Sequence, residues 1–234
     1  MSGKVRIKFA KYGAMKFIGH LDMMRFFQKA IRRAGIDIRY SEGFSPHQIM
    51  SFAAPLGVGI ESNGEYMDIE VLSMTYTENM KQALNQVMVE GVEVLDVCVL
   101  PDNAKNAMAS VAAASYKIKM KEGDFPIVDL SGQLQSFYRQ EKIPYTKETK
   151  KSVIELDLKQ GIYEIEADAD GSICMLVNAS SSGNIKPTMV FEKFCEFAGV
   201  EVPRPAYQVT RLETYTDLAK EGEEHQFIAL AEVK

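Results

Sequence analysis

Residues 101–114, PDNAKNAMASVAAA, interrupt an order of strands and helices that then starts again. Pro, Asn, Ser and Ala dominate this stretch, which reads as a linker whose alanines could support a short helix. Before it, Lys4–Ala10 alternates, with Val5, Ile7 and Phe9 to one side and Arg6 and Lys8 to the other. That is the pattern of a half-buried strand. The spacing of Met23, Phe27, Ala30, Ile31 and Ala34 predicts a helix through HLDMMRFFQKAIRR, stopped by Gly35. IDIRY, QIMSFAA and EYMDIEVL read as strands. TYTENMKQALNQVM reads as a second helix with Thr77 as its cap, and VEVLDVCVL as a closing strand.

After the linker the order repeats. SYKIKMK is a strand, DLSGQLQSFYRQ a helix, and IPYTKE is followed by the strands SVIELDL, IYEIEAD and SICMLVN. TMVFEKFCEFAG is a helix ending at Gly199, and AYQVTRLETYT closes the set. RRAGIDIRYSE in the first half has a faint counterpart, RQEKIPYTKE, in the second. The expected fold is therefore α+β: two tandem ferredoxin-like (split βαβ) units with antiparallel sheets, over residues 1–103 and 112–216. Helices would cover one sheet face and leave the other free for a partner. Residues 217–234, polar and then apolar, form a tail that the pattern does not place.

The charge is unevenly spread. Residues 1–48 hold ten Lys+Arg and three Asp+Glu, about +7, against 17 and 29 in the remainder, about −12. Such asymmetry predicts a local anion site on an acidic body. With 46% hydrophobic and 25% charged residues, the chain is ordinary for a soluble globular protein. No apolar run suits a membrane span, and the alternating N-terminus is not a signal peptide. A cytoplasmic protein with no membrane partner is the expectation. Cys98, Cys174 and Cys195 are odd in number and far apart, so they read as buried thiols, not a disulfide framework or a metal pair.

On the first helix, Arg25, Lys29 and Arg32 share one face opposite the apolar stripe, with Arg33 beside them and only Asp22 nearby to neutralise them. The strand before the helix adds Arg6, Lys8, Lys11 and Lys16. The plainer reading is a solvated basic face; the functional one is a phosphate site. His20 sits where the helix begins, and the field there favours a neutral imidazole. It could bind a ligand or act as a base, or simply pack or bond Asp22. In the following loop Gly43 and Pro46 shape the chain, and Tyr40, Ser41, Phe44, Ser45 and His47 supply rings and hydrogen-bonding groups. Aromatic and basic groups together suit single-stranded RNA or a nucleotide. PLGVG lacks the lysine and helix of a P-loop. EIEADAD reads as the wet face of a strand, and the 13 methionines as core filling. No metal ligand set is expected.

The stretch FAKYGAMKFIGHLDMMRFFQKAIRRAGIDIRYSEGFSPHQIMSFAAPLGVGIESNGEYMDIE resembles the signature region of the radical-SAM-linked protein family, a bacterial domain of unknown function. Members occur fused to a radical SAM protein or as its separate partners. The match runs through Lys11, Gly13, Phe17, Gly19–Asp22, Arg25, Ala30–Gly35, Tyr40-Ser41, Gly43-Phe44, Pro46-His47, Ser51-Phe52, Pro55–Gly57, Gly59, Gly64–Tyr66 and Asp68. It covers most of the chain, tapers after about residue 200, and is most specific over residues 8–70. Gln48-Ile49-Met50 departs from it, since a basic residue is expected between His47 and Ser51. The resemblance implies a partner more than a reaction. The chain lacks the clustered cysteines that would hold an iron–sulfur cluster, so the cluster and S-adenosylmethionine would belong to the partner, with no cofactor on this chain. The expectation is an accessory that is not an enzyme on its own, recognising RNA or another phosphate-bearing ligand through His20, Asp22, Arg25, Lys29, Arg32, Tyr40, Ser41, Phe44 and His47. The alternative is an enzyme: tandem ferredoxin-like units with an early histidine also resemble CRISPR-repeat-processing endoribonucleases, with His20 or His47 doing acid–base work.

Overall fold

The computed structural model describes residues 2–148, 153–220 and 222–233. Ser152, the first residue of the expected strand SVIELDL, lies outside them, as do Glu221 and Lys234 of the tail. In chain order the elements are β1 (Gly3–Lys11), α1 (His20–Arg33), β2 (Met50–Phe52), β3 (Glu61–Val71), α2 (Thr77–Asn85), β4 (Val92–Leu100) and α3 (Ala107–Ser110). Then follow β5 (Ala113–Met120), α4 (Leu130–Tyr138), β6 (Pro144–Glu148), β7 (Val153–Asp157), β8 (Ile162–Ala167), β9 (Ile173–Asn178), α5 (Pro187–Phe197), β10 (Tyr207–Asp217) and β11 (Phe227–Ala229). The fold is mixed α+β, with mostly antiparallel sheet and five α-helices among the described residues.

Two compact units form. One is Met1–Ala112 with Glu213–Lys234, the other Ala113–Leu212. In the first, β1 lies between β4 and β3, antiparallel to both, and β2 pairs with β3. Val5, Ile7 and Phe9 of β1 point into a core with Phe27 and Ile31 of α1, Met67 and Ile69 of β3 and Leu84 of α2. The Phe9 and Phe27 rings meet edge to face, 4.7 Å between centroids. This burial is what the helical and alternating spacings encode. In the second unit the strand order is β10, β5, β9, β8, while β6 and β7 form a separate hairpin. Its core is aromatic: Phe137 packs on Phe194, and Phe191 on Tyr207.

Three local expectations are corrected. IDIRY forms only isolated bridges, Ile38 to Val71 and Tyr40 to Gln48, because β2 takes the neighbouring part of β3. QIMSFAA contributes just the three residues of β2. Thr77 is the first helical residue of α2, preceded by Tyr76, which makes no side-chain cap. The short helix allowed for the linker does form as α3, capped by Asn106 Oδ1 accepting from the Ala109 N–H at 2.9 Å.

The first unit takes back the end of the chain. Gly64 of β3 faces the backbone of Glu213 so closely that a Cβ there would lie 2.6 Å from Glu213 Cα. A glycine permits that approach, and Thr214 Oγ1 donates to Gly64 O at 2.7 Å. The segment left unplaced by the pattern pairs β11 with β10 and buries Leu230 completely. Asp217 ties the turn between them. Its Oδ1 accepts from the N–H groups of Ala219 and Gln226, both at 2.9 Å, and Oδ2 sits 2.6 Å from His225 Nδ1. Burial pushes the Asp217 carboxyl up, but these hydrogen bonds outweigh it and hold it below the ordinary carboxylate range. A folded value below the unfolded one stabilises the closed turn above a pH of about 3.9 and loses that stabilisation as pH falls through the folded value. Backbone hydrogen exchange at Leu218, Ala219 and Gln226 should therefore stay protected at neutral pH and open in acid below about pH 4. Asp217→Ala should open it already at neutral pH. Protection that survives both changes contradicts this role.

Candidate functional site

Two elements of the first unit build the site: the exposed face of α1 and the loop between Tyr40 and Gln48. Arg25, Lys29 and Arg32 are all exposed on α1, opposite buried Met23, Phe27, Ala30 and Ile31. Arg25 Nη1 donates to Asp22 Oδ1 at 3.1 Å. Arg32 Nε donates to Gln28 O at 3.3 Å, which leaves most of its guanidinium for a ligand. Arg33 turns the other way and donates to Val87 O.

The loop is shaped by its own hydrogen bonds. Ser41 N–H donates to His47 O at 2.8 Å, and His47 N–H donates to Ser41 Oγ at 3.1 Å. His47 Nδ1 lies 2.9 Å from Ser41 Oγ and 3.4 Å from Ser45 O. These contacts occupy one ring nitrogen, Nδ1, of an exposed histidine. Gly43 takes φ +107°, which favours glycine, and Phe44 beside it is fully exposed at the tip. A cleft of about 200 Å³ lies between loop and helix, lined by Gln28, Arg32, Tyr40, Pro46, His47 and Gln48.

The structure thus brings Arg32, Tyr40 and His47 into one cleft. Ser41 braces His47, Phe44 stands at the loop tip, and Lys29 lies on the adjoining helix face. His20 is elsewhere. It starts α1, about 18 Å of helix rise from Arg32, and its ring packs edge-on against Phe52 at 5.1 Å. Asp22 is engaged by Arg25 and not by His20. The two histidines do not share a site. The dense unpaired patch is also corrected. Arg6 is buried against Asp68, Lys8 pairs with Glu213 at 2.5 Å, Lys16 with Glu61 at 2.9 Å, and Lys11 is buried and donates to Ile18 O. Arg6, Lys8 and Lys11 on β1 and Lys16 in the turn after it are thus engaged within the unit, by three carboxylates and one carbonyl brought from elsewhere in the chain. What remains open is the helix face.

Besides Gln28 and Pro46, Gln48 is a cleft residue that the sequence did not mark as a ligand contact. It is 5% exposed, and Nε2 donates to Gln28 O at 3.2 Å and to Tyr40 Oη at 3.4 Å. Oε1 has no partner, and it is the one such buried side-chain N or O among the described residues. An unmet buried acceptor costs about 1–3 kcal/mol. In sequence this residue stood out only as part of Gln48-Ile49-Met50, where the family resemblance breaks.

A larger cavity, about 700 Å³, belongs to the second unit and includes Asp157, Asn178, Ser182, Lys186 and Met189 in its lining. Among the described residues it has no aromatic ring and one cation, so it lacks a nucleotide's stacking surface. Burial pushes the thiols of Cys98, Cys174 and Cys195 up, Cys195 to about 11, so they are neutral thiols near pH 7. No group of three or more His, Cys, Asp or Glu able to hold a metal ion occurs among the described residues. No described helix is long and apolar enough to cross a membrane.

Fold and cleft together define an α+β protein with a small cationic and aromatic cleft on its first unit. The chain belongs to the family described as an uncharacterized protein conserved in bacteria (DUF2344), which matches residues 4–187. No curated protein matches the chain.

Proposed function

We propose that this protein is a non-catalytic recognition partner of a separate radical SAM enzyme in the cytoplasm, and that it binds single-stranded RNA along α1 and the 40–48 loop. The observation that carries the RNA reading is the convergence of Arg32, Tyr40 and His47 on one cleft, with Lys29 and the bare Phe44 ring beside it. Cations track phosphates, and rings accept stacked bases. The partner reading rests on the resemblance over residues 8–70. It gains support from Phe17, Leu21 and Val58, exposed apolar side chains around the start of α1. Gly59 N–H donates to Lys16 O and draws the 55–59 turn to that end. Exposed apolar side chains grouped like this suit a protein partner. The cluster and S-adenosylmethionine belong to that partner.

We read each unit as a ferredoxin-like variant. The first runs strand, helix, strand, strand, helix, strand, and so does the second once its β6–β7 hairpin is set aside as an insertion. The strand orders agree: β4, β1, β3 with β2 on β3, and β10, β5, β9, β8.

The test is recovery of tagged protein from its host, with half the lysate treated with ribonuclease, alongside titration of purified protein with labelled single-stranded RNA. A radical SAM protein in both halves, and RNA affinity that falls steeply with salt, are the expected results. Absence of the radical SAM protein from both halves overturns the partner role. No RNA affinity at low salt overturns the ligand, and cleavage of the RNA by the purified chain overturns the non-catalytic reading.

A further inference from the structure

We infer that Gln48 is a specificity residue, whose Oε1 accepts a hydrogen bond from an N–H group on the base of a bound nucleotide unit. This deepens the RNA reading and rests on it. The side chain's orientation is fixed by its neighbours: Nε2 faces the Gln28 carbonyl at 3.2 Å, and a flipped amide would set two acceptors against each other. Oε1 is therefore an acceptor with its donor missing. The residues around it say what kind of ligand would bring one. Arg32 offers charge to a phosphate, and Tyr40 and His47 offer rings to a base. A base held there presents its edge, and Gln48 Oε1 accepts a donor on that edge and repels a carbonyl or ring nitrogen. Oε1 is closed to solvent in the free protein, so a base reaches it only with a local shift of the groups packed around Gln48.

The nucleotide unit could come from RNA or from a free nucleotide, and the probes separate the two. Purified full-length protein is titrated with 12-nucleotide oligo(A), oligo(C), oligo(G) and oligo(U), with the four nucleoside monophosphates, and with inorganic polyphosphate. The favoured probe is then repeated with a base analogue lacking its N–H donor. The wild type should bind the analogue about tenfold more weakly, the loss expected of one unmade hydrogen bond. Gln48→Met should bind parent and analogue alike, at the weaker level, with polyphosphate affinity unchanged. A monophosphate that binds as tightly as its oligomer supports the proposal with the free nucleotide as source. Equal binding of parent and analogue by the wild type, or undiminished discrimination by Gln48→Met, overturns the proposal and leaves the RNA reading standing. No binding of any oligomer or monophosphate overturns both. The analogue arm uses unaltered protein, so it stands even where the variant folds poorly.

Discussion

Asp68→Ala should lower the stability of the first unit by about 3–5 kcal/mol, the usual effect of leaving one member of a buried ion pair alone. Arg6 is only 1% exposed, and its guanidinium grips Asp68 with two bonds, Nε to Oδ1 at 2.8 Å and Nη2 to Oδ2 at 3.0 Å. The same guanidinium reaches Leu230 O at 3.1 Å and Lys105 O at 3.4 Å. One side chain on β1 thus fixes β3, the segment before α3 and the end of the chain. With Asp68 gone, a buried cation keeps two carbonyls and loses its counter-charge. Adding Arg6→Met removes that charge and should recover part of the loss. Recovery stays incomplete because the two carbonyls lose their donor. Hydrogen exchange of β1 amides under increasing urea reports this unit by itself. A loss below about 1 kcal/mol for Asp68→Ala would show that the pair is solvated rather than buried.

Arg6 also marks where the sequence stops being legible. Alternation in Lys4–Ala10 placed Val5, Ile7 and Phe9 in the core correctly, because spacing along one strand decides which face is apolar. The same alternation put Arg6 on a wet face. What covers it comes from residues 99 and 224 positions away, and periodicity carries no information about such contacts. The end of the chain was unplaceable for the same reason. β11 and the buried Leu230 are defined by partners on β10 and β1, not by their own pattern. Helices were read well where a stripe decides them, as in α1. Their starts were read less well, since Thr77 looks like a cap and is instead inside the helix.

At the site, α1's open face followed directly from spacing: Arg25, Lys29 and Arg32 are exposed because Met23, Phe27 and Ile31 are not. The loop's shape followed from Gly43 and Pro46. What sequence could not resolve was which cations are free. Lys8 and Glu213 pair across 205 positions, and Lys16 and Glu61 across 45, so counting charge along the chain overstated the patch. Sequence offered both His20 and His47 as candidates. In the fold one packs on Phe52, and the other lines the cleft.

The charge that survives this pairing should govern binding. Lys29→Glu with Arg32→Glu takes two exposed helix positions from +2 to −2 and should weaken single-stranded RNA binding at least about 100-fold, about 2.8 kcal/mol. With two phosphates of a single strand no longer neutralised, the slope of log affinity against log salt should also flatten by roughly 1.4. Neither side chain is in the core, so circular dichroism and melting temperature should match the wild type closely. Net charge alone could weaken any polyanion's binding, so the comparison that decides is positional. Lys142→Glu with Lys186→Glu makes the same change at exposed sites of the second unit. If binding is local to α1 and the 40–48 loop, that variant keeps most of its affinity and its full salt slope. If both double variants weaken binding equally, RNA is held by the overall field of the protein, and the cleft beneath Tyr40 and His47 is not its seat.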